Sequence, residues 1–244
     1  MPFLLVMEDK ILYIVIPAYN EEKNIRRTVS EWYPIVARHS GNGQSRMLVI
    51  DDGSKDSTYE ILKELAQDYR LLQPVTKKNG GHGDTLLMGY DMAIKAGADY
   101  VFQTDSDGQT DPMEFEPFWE SLKDHDVVIG KRPVRGDGFI RKVIEKVVCV
   151  LLFCVFGVRV SDANAPYRLM KAQVLKKYLP RLPEHFNIPN IMLTTYFVKY
   201  KEKVKFINIS FKPRQGGKNS INMKKIFAIG IKAVGDFIQL KKEM

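Results

Sequence analysis

Over its first half the chain alternates short β-rich runs with longer stretches of helical periodicity, and no other feature restricts its folding so tightly. Ile11–Pro17, Arg46–Asp51, Leu71–Lys77, Asp99–Asp105 and Asp126–Arg132 read as strands. Between them, Glu21–His39, Ser57–Tyr69 and Gly83–Gly97 read as helices. The second has Asp56 or Ser57 as its N-cap, and Gly97 closes the third. Strands separated by helices of this length make βαβ units. The expected fold class is therefore α/β: a Rossmann-like, mostly parallel central sheet with helices on both faces. Ligands of such sheets sit beyond the carboxyl ends of the strands.

Each strand runs into polar or glycine-rich chemistry. Pro17, Tyr19, Asn20 and Glu21 follow the first strand, and Asp51, Asp52, Gly53 and Ser54 the second. "KKNGGHGD" follows the third, Asp105, Asp107 and Gln109 the fourth, and Lys131 and Arg132 the fifth. A parallel sheet gathers these five endings along one edge, the signature of a ligand cleft.

Asp105 and Asp107 alternate, so an extended backbone turns both to one side. With the Gln109 carbonyl they make a hard-oxygen set suited to Mg²⁺ or Mn²⁺, a metal that takes its other ligands from water and substrate phosphates. The plain alternative is a solvated turn before a helix at Pro112. In "DDGSKDST", an acid has the chemistry to accept from a ribose hydroxyl or a base N–H, while an Asx-turn with a helix cap explains Asp56 and Ser57. "NGGHGD", with Gly81 at its centre, is a candidate phosphate cradle, although it is neither GxGxxG nor a P-loop. His82 in that loop reads as incidental.

The chain has 244 residues, enough for one large domain or one domain with an appendage. Its two cysteines, Cys149 and Cys154, lie in one apolar run and read as reduced core or helix-face residues, not a disulfide framework. That run, Val147–Val158, is far shorter than the ~20 residues a spanning helix needs and reads as a buried or groove-lining helix. "MPFLLVMEDK" lacks the basic region of a signal peptide, so the expectation is a cytoplasmic, peripherally membrane-associated protein. Lys199 to Met244 hold 12 Lys and Arg against 3 Asp and Glu, whereas the whole chain holds 37 against 29. All the excess positive charge thus lies in this last stretch, which points to an anionic partner. Within it, Ile226, Ile229, Ala233, Phe237 and Leu240 recur at helical spacing among Lys224, Lys225, Lys232, Lys241 and Lys242. Residues 221–244 are thus expected to form a basic amphipathic helix that lies on anionic lipid, packs on the core or makes a homodimer contact. No nucleic-acid motif accompanies the basic tail, so nucleic acid is not an expected partner.

"PAYNE", "DDGSKDST", "NGGHG" and "DSDGQ" occur here in the order and spacing of the family 2 glycosyltransferases. The chain resembles that family over residues 11–220, most of all its polyprenyl-phosphate and dolichol-phosphate sugar transferases. The resemblance implies a GT-A fold for a catalytic domain at 1–220, followed by the helix at 221–244. It implies that Pro17, Tyr19, Glu21, Asp51 and Asp52 line the nucleotide pocket, and that Asp105, Asp107 and Gln109 hold the metal at the donor diphosphate. Arg132 matches an arginine near phosphates, and Arg141 is a weaker match for an acceptor-phosphate contact. "DANAPYR" matches an acceptor-side segment at Asp162 and Arg168, with Ala165 and Pro166 in place of Ser and Gly. "RQGGKNS" matches a late motif at Arg214 and Gly217, with Asn219 and Ser220 in place of Ser-Lys.

The implied enzyme is an inverting, metal-dependent transferase moving a sugar from a UDP- or GDP-sugar to a membrane-associated acceptor, polyprenyl phosphate first. Arg132 and Arg214 would neutralise the leaving diphosphate, and Asp107 or Asp162 would serve as base if the acceptor were a hydroxyl. Two alternatives accompany this reading: transfer to a glycan hydroxyl in cell-surface polysaccharide synthesis, and a nucleotide-sugar-binding or scaffold protein without turnover.

Overall fold

The computed structural model describes residues 9–133, 139–213 and 234–242. The side chains of 139–142 lie outside that description, so Arg141 can be placed only as a helix position. Arg214, Gly217, Asn219, Ser220 and the first part of the 221–244 segment fall outside it altogether.

The strands are β1 (Leu12–Ala18), β2 (Arg46–Asp51), β3 (Leu72–Thr76), β4 (Tyr100–Gln103), β5 (Val127–Lys131), β6 (Arg168–Lys171) and β7 (Val204–Asn208). The helices are α1 (Ile25–Arg38), α2 (Thr58–Asp68), α3 (His82–Lys95), α4 (Glu116–Ser121), α5 (Phe139–Phe156), α6 (Ala172–Tyr178) and α7 (Pro189–Lys199). One sheet contains all seven strands in the order β3-β2-β1-β4-β6-β5-β7. β1 pairs parallel with β2 and β4, β2 with β3, and β5 with β7. Only β6 runs antiparallel, between β4 and β5.

Every residue of β1 is buried, which accounts for its unbroken apolar run. Its side chains alternate between two cores. Tyr13 and Val15 join Leu86 and Tyr90 of α3 and Leu152 and Phe156 of α5 on one face. Leu12, Ile14 and Ile16 join Val29 and Trp32 of α1 and Leu62 of α2 on the other. Helices on both faces and a period-2 strand are thus one arrangement seen from two sides.

Sequence reading located five strands and missed β6 and β7. β6 is only four residues long, and its first, Arg168, is fully buried where an apolar residue would be expected. Because β6 is antiparallel to both neighbours, β5 still runs parallel to β4, and the register Gln103↔Arg168↔Ile129 sets their ends level. The endings of β1, β2, β3, β4 and β5 therefore do share one edge.

Two expectations change on the far side of the sheet. The apolar run at Val147–Val158 belongs mostly to α5, which is not a buried helix: Leu152 and Phe156 face the core while Val147, Val150 and Phe153 are exposed. Of the tail helix, residues 234–242 are helical, with Phe237 and Leu240 buried and the Phe237 ring 5.9 Å from Phe156. In this portion the core-packing alternative holds. No helix among the described residues is long and apolar enough to cross a membrane, and Cys149 and Cys154 are free.

Candidate functional site

The loop after β1 is laced to the loop after β2. The Asn20 and Glu21 N–H groups donate to Ser54 Oγ and Thr58 Oγ1, each at 2.8 Å, and Lys55 N–H donates to Asn20 Oδ1 at 2.8 Å. The buried Glu21 carboxylate accepts from Asn24 Nδ2 at 2.6 Å. Ser106 Oγ ties the β4 ending back to the Pro17 carbonyl at 2.9 Å. Ser57 occupies the N-cap position of the following helix without a side-chain bond of its own, and Asp56 Oδ1 accepts instead from the Thr58 N–H at 3.0 Å.

The two acids after β2 are buried and committed to loop structure. Asp51 accepts from Thr76 Oγ1 at 2.7 Å and from the Ser54 N–H. Asp52 accepts from Gly80 N–H at 2.9 Å, Gly81 N–H at 2.8 Å and Lys77 Nζ at 2.7 Å. Its carboxylate therefore shapes the glycine loop from within. Gly53 makes this approach feasible: its φ is +66°, and a Cβ there would come within 2.8 Å of Asn79 N. Gly81 has φ +92° and leads directly into α3. Lys77 also reaches Asp84 in the first turn of α3 at 2.8 Å, and Asp84 meets His185 Nδ1 at 2.7 Å. Burial works against the Lys77 charge, but Asp52 and Asp84 outweigh it and its pKa is raised. The Lys77 ammonium, against partial burial, holds the Asp84 carboxyl below its ordinary 3.8.

The ending of β4 differs from all of these. Asp105 Oδ1 is buried and has no hydrogen-bond partner. A carboxylate oxygen in that condition is costly unless a cation or donor meets it. The His82 ring stands near it, Nε2 at 4.0 Å, so this loop histidine lies closer to the site than its isolated place in the sequence suggests. Two positions on, Asp107 accepts from the Gln109 N–H at 3.2 Å. Gln109 is clamped to the segment after β7: its Nε2 donates to the Lys212 carbonyl and its own carbonyl accepts from Lys212 N–H, both at 2.8 Å. That leaves Oε1 as the acceptor end of an oriented amide. No group of three His, Cys, Asp or Glu close enough to hold a metal exists among the described residues. Two carboxylates and an amide oxygen nonetheless fit Mg²⁺ or Mn²⁺, which keep waters and complete their shell with substrate phosphates.

At the ending of β5, Arg132 and Asp162 form a buried two-pronged pair, Nε to Oδ2 and Nη2 to Oδ1, both 2.8 Å. Phe211 stacks on the guanidinium at 4.9 Å, and Glu145 of α5 lies 3.9 Å from Nη2. Glu145 also accepts from the Ala163 N–H at 2.8 Å, joining α5 to the 162–165 loop. Arg168 carries the other side of that loop, donating to the Ala165 carbonyl at 2.8 Å and to the Asn190 carbonyl at 3.1 Å. Full burial lowers its pKa. This scaffolding role of Arg168 is carried by hydrogen bonds that have no signature in spacing.

The structure thus gathers the expected residues as three neighbouring groups on one edge: Asp51 and Asp52 with Gly81, Asp105 through Gln109 with Lys212, and Arg132 with Asp162. A mostly parallel sheet with acids, a glycine loop and a buried arginine pair on its carboxyl edge is the plan of a GT-A glycosyltransferase. The chain belongs to glycosyl transferase family 2, whose profile it matches over residues 13–233.

Among its relatives are the UDP-N-acetylglucosamine–dolichyl-phosphate N-acetylglucosaminyltransferase of Methanococcus voltae, 28% identical over 70% of this chain and 73% of that one. The polyprenol monophosphomannose synthase of Mycolicibacterium smegmatis is 30% identical over 67% of this chain and 63% of its own length. An undecaprenyl-phosphate 4-deoxy-4-formamido-L-arabinose transferase of Edwardsiella ictaluri is 30% identical, the match covering 68% of this chain but only 50% of that one. The fold is shared with Mycobacterium tuberculosis glucosyl-3-phosphoglycerate synthase, solved with Mn²⁺ and UDP-glucose, at a TM-score of 0.67 and 18% identity over 96% of this chain and 79% of that one.

Proposed function

We propose that this glycosyltransferase moves a sugar from a nucleoside diphosphate sugar to a polyprenyl phosphate, with inversion and with the help of Mg²⁺ or Mn²⁺. The observation that carries the reading is the unpartnered, buried Asp105 Oδ1 at the carboxyl end of β4. Asp105, Asp107 and Gln109 would hold the metal, which when bound would offset the charge on the donor diphosphate. Pro17, Tyr19 and Glu21 would line the nucleotide side, and Asp52 would act there by holding Gly80 and Gly81 in place. Arg214, two residues beyond the Lys212 clamp on Gln109, would add positive charge at the leaving group.

The acceptor follows from the state of Asp162. Both of its oxygens accept from Arg132, so the carboxylate is oriented towards the guanidinium rather than held free for an incoming hydroxyl. A sugar hydroxyl needs a base to attack; a phosphate monoester is already ionised near neutral pH and needs none. The pair therefore favours a phosphate acceptor, the type for which the dolichyl- and undecaprenyl-phosphate relatives are named.

The test is transfer of label from UDP-glucose, UDP-N-acetylglucosamine, UDP-galactose or GDP-mannose to polyprenyl phosphate in detergent. Label entering the organic phase with Mn²⁺ or Mg²⁺, and not with EDTA, is the expected result. Label passing only to water or to a glycan hydroxyl would overturn the acceptor assignment.

A further inference from the structure

The glycine loop ahead of α3 is built as a phosphate cradle would not be. The Gly80 and Gly81 N–H groups, the donors such a cradle would turn outward, already donate to Asp52. Lys77 ties the same carboxylate to Asp84 in the first turn of α3. From the other side, Gly83 lies against the backbone of 186–187, and a Cβ there would come within 2.2 Å of the Phe186 carbonyl oxygen. Asp84 is held in turn by His185, and Thr85 Oγ1 donates to the Gly81 carbonyl at 3.0 Å. The residues on both sides of His82 are thus fixed, while the His82 side chain itself is not used by the fold. It is 46% exposed, and its ring has no hydrogen-bond partner among the described residues. What the ring does face is the ending of β4, where Nε2 stands 4.0 Å from the buried Asp105 Oδ1, itself without a hydrogen bond.

We infer that His82 is a specificity-determining residue of the metal site: its Nε2 is a nitrogen ligand of the cation held at Asp105 and favours Mn²⁺ over Mg²⁺. The proposal deepens the metal reading of Asp105, Asp107 and Gln109 and rests on it. Separation and chemistry both support it. Donor atoms about 2.0–2.3 Å from a shared ion stand about 3–4.5 Å apart, the interval in which Nε2 and Oδ1 are found at 4.0 Å. A charge-assisted hydrogen bond would draw the same two atoms to about 2.7–2.9 Å, and they do not make one. Mg²⁺ holds to oxygen donors and keeps its waters. First-row ions take an imidazole nitrogen beside carboxylate oxygens. The oxygen set at 105–109 accommodates both ions; one added nitrogen makes the site choose. The glycines around His82 then have a purpose. Gly81 at φ +92° and Gly83 against the 186–187 backbone set the start of α3 so that His82 overlooks the ending of β4.

The test uses the full chain with UDP and no acceptor, so that metal binding is read apart from transfer. Pulsed electron paramagnetic resonance of Mn²⁺ bound to the wild-type chain should show coupling to a directly bound nitrogen, and that coupling should change when histidine is isotope-labelled. His82→Gln should remove it, while His185→Gln, whose ring is engaged with Asp84, should keep it. In calorimetry, His82→Gln should weaken Mn²⁺ binding by about tenfold and Mg²⁺ binding by less than about twofold. Mn²⁺ that binds with UDP but shows no histidine nitrogen overturns the role of His82 and leaves the metal reading of Asp105 standing. So does an equal loss of both metals in His82→Gln, which would make the ring a contact of the diphosphate. No Mn²⁺ binding by the wild-type chain with UDP would overturn the metal reading itself, and His82 with it. The coupling is read on the wild-type chain, so it decides the role of His82 even where a variant fails to fold.

Discussion

Four acids stand at strand ends in this sequence with near-equal claims on a ligand: Asp51, Asp52, Asp105 and Asp107. Position at the sheet edge was legible from the strand pattern, because a parallel sheet has only one carboxyl edge. Which carboxylate was already used was not legible, because that depends on contacts distant in sequence, such as Thr76 on Asp51 and Lys77 on Asp52. This difference makes a contrasting pair of predictions. Asp105→Ala should leave thermal stability within about 1 kcal/mol of wild type, since no protein hydrogen bond to Oδ1 is lost, while abolishing metal-dependent UDP binding in calorimetry. Gly53→Ala should do the reverse to the fold. It forces a side chain into the left-handed region and towards a backbone nitrogen 2.8 Å away, and should cost about 2 kcal/mol or more in urea unfolding.

Among the elements, the first five strands and first three helices stood out because each has a strong period and clear breakers. β6 did not, because a buried arginine with carbonyl partners replaces the expected apolar residue, and the run in α5 reads as a buried helix because its exposed face carries apolar residues as its buried one does. The junction of α3 with the glycine loop carries a pH prediction. Asp84 is held below 3.8 by Lys77 and, more weakly, by His185. A carboxyl depressed in the folded state stabilises above its unfolded pKa and loses that contribution as pH falls through the folded value. Asp84→Asn should therefore lower the free energy of urea unfolding at pH 7 by about 1–2 kcal/mol for the lost charged hydrogen bonds. The gap to wild type should close below pH ~3.8, where Asp84 itself takes up a proton. A gap that persists unchanged in acid would remove the Lys77–Asp84 pair as its cause.

For the whole molecule, the α/β class follows from alternation alone, whereas the grouping of the site follows from one antiparallel strand. β6 sets Asp105 and Arg132 level on one edge without making them neighbours in the sheet. Donor binding should then couple the two halves through the Gln109–Lys212 clamp, because the β4 loop and the segment after β7 hold each other. A ligand present at 100 times its Kd adds about 2.7 kcal/mol to the stability of the folded state. For a chain of 244 residues that is a rise in Tm of about 5–10 °C. UDP with Mn²⁺ together should produce this shift, and UDP with EDTA should produce much less, since the unpartnered Asp105 oxygen then repels the diphosphate. Asp105→Ala should bring the two conditions together by removing the metal's ligand and the repulsion at once. A full shift for UDP without metal would mean that the phosphates are met by protein cations alone, with the metal assignment at Asp105 wrong and the charge of Arg132 or Arg214 carrying the site instead.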